Sequence, residues 1–419
     1  MEEQVLLPHL FRTEYRKMVS VLCHLFGIEH IEVAEDIVSE TFLIATETWS
    51  IKGLPDNPVA WLYTVAKNKT RNYLKRTALF EQKLLPEIRY RTSEAEEMEL
   101  VFSGRNIADS QLAMIFAVCH PAIPFESQVA LALNLLCGFG AQEIADAFLT
   151  NKEVIYKRIN RAKHKLKEEK IRIEHPLAAE VNGRLDTVLT TVYLLFSEGY
   201  YASSQNTVLR RELCEEAMRL IELLILNPDT NTPAVHALLA LMCFHCSRFD
   251  ARTGEHGEMI LYADQDESRW DWSLVKKGTV HLNRAASGSV LTKYHLEAGI
   301  AYWHTLKADS LEKWGHILGL YNELLILEYS PIAALNRTFA LAKVRGARIA
   351  IAEAEKLGLT DNHFYHSLLG NLYSGLDDGK ALQHFEIAFD LANSPGDKGA
   401  ISKNIRRLKA AGQTGGAGK

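Results

Sequence analysis

Apolar residues along this chain recur at intervals of three and four rather than two, the period of an α-helix with one buried face. Along NKEVIYKRINRAKHKLK, residues 151–167, Ile155, Ile159, Ala162 and Leu166 form one apolar stripe. Lys152, Glu153, Tyr156, Lys157, Asn160, Arg161, Lys163, His164 and Lys167 occupy the rest of that helix. Thr150 and Glu153 have the spacing of a capping box, which predicts a helix start at Asn151. Just upstream, AQEIADAFL predicts a short amphipathic helix with Ile144, Ala145 and Phe148 inward, and FLTNK a tight turn. The two helices together read as a helix-turn-helix whose second helix is basic on its outer face. The same period runs through RLDTVLTTVYLLFSEGYY, RELCEEAMRLIELLIL and TPAVHALLALMCFH. No convincing run of alternating strand pattern interrupts it, so the predicted fold class is all-α.

Three breaks divide the pattern. Residues 79–106, including LPEIRYRTSEAEEMELVFSGRN, are polar and acidic with weak periodicity, the composition of a tether. Near IEHPLAAEVNGR a basic helix ends at a proline. The tail AAGQTGGAGK is Gly-rich. The expected organisation is a first helical domain over 1–78, a linker over 79–106, a helix-turn-helix domain over 107–175, a helical domain over 176–411 and a tail over 412–419. Within the long C-terminal part, ALNRTFALAKVRGARIAIAEAEKL and SLLGNLYSGLDDGKALQHFEIAFDL align at an offset of about 33 residues, with Gly346 against Gly379 and Ala340 against Tyr373, the layout of paired-helix repeats.

Chemistry enters first at the N-terminal side. In VAEDIVSETFLIATETW, residues 33–49, Asp36 and Glu40 stand four apart on one helix face and Glu47 continues the acidic side. Like charges at that spacing cost a few tenths of a kcal/mol, which suits either a solvated face or one that meets a basic partner. Gly53, Pro55, Asn57 and Pro58 then mark a loop and a helix start, with Asn57 as N-cap and Pro58 in the first turn. That helix carries Trp61, Tyr63 and Tyr73 among Lys67, Lys69, Arg71, Lys75 and Arg76, with no acid between Val59 and Arg76. Cations interleaved with aromatic rings suit single-stranded nucleic acid, where rings stack on bases and cations follow the backbone. A core role for Trp61 and Leu62 is the alternative.

Charge sharpens the picture. The chain has 419 residues and a formal net charge of −5, yet residues 150–167 hold seven Lys or Arg and one Glu. An acidic total argues against wholesale coating of nucleic acid but leaves room for a local basic surface, because binding follows the local field. On a recognition helix, Lys152, Glu153, Tyr156, Lys157 and Asn160 are placed to reach base edges, while flanking cations such as Arg161 and Lys163 meet phosphates. The length predicts two or three domains, and the composition is that of a soluble globular protein. Six cysteines without regular spacing suggest reduced thiols in a cytoplasm. No apolar run approaches the roughly 20 residues of a membrane span, and the acids of MEEQVLLPHLFRTEYRK argue against an export signal.

The order of these features resembles bacterial sigma factors of the sigma-70 family, in particular the two-domain extracytoplasmic-function class that keeps regions 2 and 4. EDIVSETFLIATETW resembles region 2.2 with the adjoining melting segment, NPVAWLYTVAKNKTRNYLKR the following helix, and QEIADAFLTNKEVIYKRINRAKHKLK region 4.2. The long C-terminal part, with YLLFSEGYYAS, ADQDESRWDW and SPIAALNRTFAL, resembles the extension of a subgroup with tetratricopeptide-like repeats. FSEGY departs from the subgroup in its Ser, and Asn151-Lys152 stand where Pro-Glu is common. The resemblance implies that Asp36, Glu40 and Phe42 face core RNA polymerase. It implies that the loop from Ile51 to Asn57 holds a flipped base of the −10 promoter element. Trp61, Lys67, Asn68, Arg71, Asn72 and Lys75 would line that strand. Promoter DNA and core RNA polymerase are the implied partners, together with intramolecular contact between the C-terminal domain and regions 2 and 4. No cofactor, metal, membrane or catalytic residue is implied.

Rival readings remain at three places. Cys243, His245 and Cys246 cluster as metal ligands do, without the second pair that a structural zinc site needs. Asp264, Asp266, Glu267 and Asp271 beside Trp270 and Trp272 suggest a hydrolytic pocket, a structural turn or a protein-docking edge. A helix-turn-helix regulator with a partner-sensing repeat domain is the nearest alternative for the whole chain, and it leaves the N-terminal half unexplained.

Overall fold

The structure is a computed structural model and describes residues 2–84, 104–148, 150–174, 178–201, 207–252, 254, 260, 262–392 and 395–415. These residues form helices joined by turns and short loops, with no strand among them, as the periodicity predicts. The chain divides into two compact units, 1–230 and 231–419.

The first unit begins with α1 (Glu2–Phe26), α2 (Ile31–Lys52) and α3 (Pro58–Leu84). Met18, Val19 and Leu22 of α1, Ile31, Ala34 and Val38 of α2, and Leu62 and Ala66 of α3 are buried. Asn57 caps α3 as expected, its side-chain oxygen accepting the Ala60 N–H at 3.0 Å. Helix α3 continues to Leu84 and the next helix starts at Gly104, so the two ends of the expected 79–106 tether are helical and 85–103 lie outside the described residues. Thr77, Ala78 and Leu79 carry no helix breaker, and good helix formers such as Glu81, Gln82 and Lys83 follow.

Four helices follow: α4 (Gly104–Val118), α5 (Phe125–Leu135), α6 (Ala141–Ala147) and α7 (Lys152–Glu168). Residues 110–118 of α4 are buried without interruption, because α4 is covered by α1 and by α8 (Ala178–Tyr201) and α9 (Thr207–Leu226). Side chains fix this cover: Arg184 donates to the Phe116 carbonyl at 2.6 Å, Thr191 to Gln128 Oε1 at 3.0 Å and Arg219 to the Leu136 carbonyl at 2.9 Å. The helix expected to end at a proline stops earlier, at Glu168, and Lys170 turns the chain at φ 49°; residues 175–177 lie outside the described residues.

In the second unit α10 (Pro233–Cys246), α11 (Trp272–Ala285), α12 (Lys293–Trp303), α13 (Leu311–Leu327), α14 (Pro331–Arg345), α15 (Ala347–Glu355), α16 (His363–Tyr373), α17 (Asp378–Leu391) and α18 (Pro395–Gly415) each pack chiefly on their neighbours in sequence. The turns between α14 and α15 and between α16 and α17 use Gly346 and Gly375, at φ 87° and 78°. Gly379, which the sequence alignment sets against Gly346, lies inside α17, because the second turn is longer and α17 starts after it. Gly370 serves a different end: a Cβ there would stand 2.9 Å from the buried ring of Phe385. The segment expected to be a Gly-rich tail is helical as far as Gly415, and 416–419 lie outside the described residues.

Candidate polymerase and nucleic-acid interface

Helix α2 presents its acids on one stripe. Glu32, Asp36 and Glu40 follow one another at spacings of four and all three are exposed. Glu40 already has a basic neighbour, Lys69 of α3, at 2.5 Å. Phe42 departs from the expectation that it faces polymerase. It belongs to the inward stripe of Ile31, Ala34, Val38, Ala45 and Trp49 and is 4% exposed. Its ring stands edge-on to Phe11 at 5.1 Å and tilted against Tyr15 at 6.1 Å, so Phe42 seats α2 on α1 while Asp36 and Glu40 face outward.

The last turn of α2 exposes Ile51, at 84%, so the loop expected from Ile51 begins only at Gly53, whose φ of 80° favours glycine. On α3, Trp61, Asn68, Arg71, Asn72 and Lys75 share one face by their spacing; the last four are exposed, and Trp61 and Lys67 are half-buried. Trp61 meets buried Trp49 edge-on at 5.4 Å. The other two aromatics point elsewhere. Tyr63 donates to Glu14 at 2.7 Å and Tyr73 lies edge-on to Phe26 at 5.6 Å, so both tie α3 to α1. Burial and the adjacent Glu14 carboxylate hold the Tyr63 hydroxyl above its ordinary pKa. All three rings are half-buried, and Trp61 is the one that shares a face with Asn68, Asn72 and Lys75.

Helix α7 starts one residue later than a Thr150 cap implies. Asn151, in an extended conformation, accepts the Val154 N–H at 3.0 Å, which puts Val154 rather than Glu153 at the third helical position and excludes the expected box. A carboxylate does close the turn before α6, where Glu143 accepts the Gly140 N–H at 2.7 Å. Ile155, Ile159, Ala162 and Leu166 are all buried, as their stripe predicts. Opposite them Lys152, Glu153, Tyr156, Lys157, Asn160, Arg161 and His164 are exposed, Tyr156 at 58%.

Lys163 does not join that surface. It lies on the flank of α7, its side chain 15% exposed, with Nζ 3.0 Å from Glu35, which also meets Arg16 at 3.4 Å. One turn further, Lys167 Nζ reaches both carboxylate oxygens of Glu32 at 2.6 and 2.7 Å. That contact holds the Glu32 carboxyl below its ordinary pKa. Lys163 was expected on phosphates, but as a buried-flank partner of α2 it is spent on protein. No signal within either helix foretells this pairing, because its partners are 128 and 135 residues apart.

The two rival clusters have structural roles. Asp266 and Asp271 cap helical turns, accepting the Ser268 and Ser273 N–H groups at 2.9 Å each. Cys243 is buried in α10 and His245 half-buried two residues on, where desolvation of its ring, with Arg248 and Arg252 nearby, keeps it well below its ordinary pKa. Among the described residues no three His, Cys, Asp or Glu converge as a metal site would require, and no helix is long and apolar enough to cross a membrane.

An acidic ridge on α2, a basic face on α3 and the basic outer face of α7 stand in one compact unit, surfaces of the kind that suit a cationic partner and a polyanion. Comparison with known proteins agrees. Residues 10–79 match sigma-70 region 2, and residues 184–286 match a family of unknown function (DUF6596). The chain is 32% identical over 391 residues to the uncharacterized protein R00370 of Rhizobium meliloti (strain 1021), covering 91% of each. No solved structure matches significantly. The chain belongs to the sigma-70 family of sigma factors, proteins that bind core RNA polymerase and take part in promoter recognition.

Proposed function

We propose that the chain is a sigma factor of the extracytoplasmic-function class, with residues 1–78 as region 2 and residues 107–175 as a region 4 helix-turn-helix. Region 2 binds core polymerase through Asp36 and Glu40 and captures unstacked bases of the −10 element along Trp61, Asn68, Arg71, Asn72 and Lys75. Helix α7 enters the major groove of the −35 element with Lys152, Glu153, Tyr156, Lys157, Asn160 and Arg161. The observation that carries the reading is the sorting of α7 into a buried apolar stripe and an exposed face of base-reading residue types.

The work done is binding and strand opening, with no covalent step. Unstacking costs a few kcal/mol per step, offset by stacking and pocket contacts of about 1–3 kcal/mol per base. The acidic total charge keeps free chain off DNA until polymerase adds its own cationic channel. The tetratricopeptide-like helices after residue 176 regulate the spacing of regions 2 and 4, supported by the bonds from Arg184, Thr191 and Arg219 to α4 and α5. Promoter binding by holoenzyme carrying Asn160→Ala tests the α7 assignment. A changed base preference at one −35 position is expected; unchanged affinity and preference for every −35 variant would remove it.

A further inference from the structure

The second unit gathers two buried cations around one tyrosine ring. Arg248 follows α10, Tyr262 stands in a single helical turn before α11, His304 follows α12, and Lys313 lies in the first turn of α13. Lys313 Nζ is 4.9 Å from the centre of the Tyr262 ring and the Arg248 guanidinium 5.5 Å, with His304 edge-on at 5.1 Å and Trp270 at 6.5 Å. Arg248 is 7% exposed and Lys313 2%. Lys313 donates to the Tyr262 hydroxyl at 2.8 Å and to the Leu306 carbonyl, both uncharged. Among the described residues no carboxylate bonds to either cation. Asp309, whose charge acts on Lys313, is itself held by Lys343 at 2.9 Å and by the Trp314 indole. Burial lowers Lys313 to about 8 and His304 to about 3, and Arg248 adds to both shifts. Two cations withdrawn from water without an anion are costly to keep.

The polar atoms beside them show what would offset that cost. Among the described residues Arg248 Nε, Trp270 Nε1, His304 Nδ1 and Gln265 Oε1 are buried without a hydrogen-bond partner. Gln265 belongs to the same cluster, since its backbone N–H donates to the Tyr262 carbonyl at 3.3 Å and its own carbonyl accepts from Lys307. Guanidinium and indole N–H groups only donate, whereas the Gln265 oxygen only accepts. A partner must therefore bring anionic oxygens and one donor. An amine would be repelled by two cations, so the donor is a hydroxyl. We propose that this cluster binds a small hydroxylated oxyanion, a hydroxycarboxylate or the phosphate ester of a polyol, with its anionic oxygens on Arg248, Lys313 and Trp270 and its hydroxyl on Gln265. The site lies wholly within the second unit and stands independently of the sigma-factor assignment. Its residues come from the end of α10, the turns before α11 and the start of α13, so an occupant ties these segments together and stabilises the unit.

The test is calorimetric titration of the full-length chain in low salt at pH 7 with malate and with glycerol 3-phosphate. Succinate serves as the acid that lacks the hydroxyl. Saturable binding at one site is expected, and the tighter of the first two probes tells carboxylate from phosphate. Succinate should bind about tenfold more weakly than malate. Trp270→Phe, which keeps a ring and removes the donor, should weaken binding about tenfold or more. Affinity should fall as pH rises past about 8, where Lys313 loses its proton. Arg248→Met keeps the stem and removes the charge. It should abolish binding and raise the melting temperature of the ligand-free chain, because it relieves repulsion between the two cations. No saturable binding of any probe, or binding unchanged in both Trp270→Phe and Arg248→Met, would overturn the site. A lower melting temperature for Arg248→Met would also overturn it, since the guanidinium would then already serve a carboxylate of the chain itself.

Discussion

Asp36 and Phe42 lie six residues apart on one helix and their substitutions should separate binding from folding. Phe42→Ala empties a site bounded by Phe11 and Tyr15 and should cost about 3 kcal/mol in urea unfolding. Asp36→Lys changes an exposed side chain, so stability should stay within about 0.5 kcal/mol while affinity for core polymerase falls. Asn151→Ala removes a cap bonded at 3.0 Å and should cost about 1 kcal/mol by the same assay. Among single residues, the sequence made the acids and the Asn57 cap legible, since their spacing and neighbours are local. It misassigned Phe42, Tyr63, Tyr73 and Lys163, whose partners are on other helices and leave no trace in the periodicity of their own.

Elements were more legible than residues, because one buried stripe is enough to define a helix whatever it packs on. The stripe of α7 is buried position for position, and the loop-to-helix start before α3 stands where Asn57 and Pro58 put it. Repeats were harder: turn length shifts which glycine turns the chain, so Gly346 corresponds in role to Gly375. Helix contacts also separate glycines that look alike in sequence. Gly370→Ala should destabilise the second unit by about 1–3 kcal/mol, since its methyl would meet the immobile ring of Phe385. Gly315→Ala, on α13 with open space at the Cβ, should raise stability by up to about 1 kcal/mol. Thermal unfolding of the two variants checks both signs. Acid should also loosen α7 from α2. The lowered carboxyl of Glu32 contributes stability above the ordinary carboxylate range and loses it as pH falls through its own value.

For the whole molecule, the division at residue 230 groups α8 and α9 with the helices they cover rather than with the rest of the C-terminal extension. Composition and breaks could not reveal this, because the Pro-containing segment near 176 marks an end of a helix and says nothing of what packs across it. A chain ending at residue 177 loses the Arg184, Thr191 and Arg219 bonds and uncovers α4. It should melt at a lower temperature than a chain ending at 230, by calorimetry of the two. The central claim concerns the polymerase: α2 binds it and α7 then reads the promoter it carries. Run-off transcription with purified core, comparing the unaltered chain with Lys157→Glu combined with Arg161→Glu, tests this most directly. The account predicts promoter-specific transcripts from the former, and at least a tenfold loss in the variant with core binding retained; equal transcript from both, or no initiation with either, would contradict it.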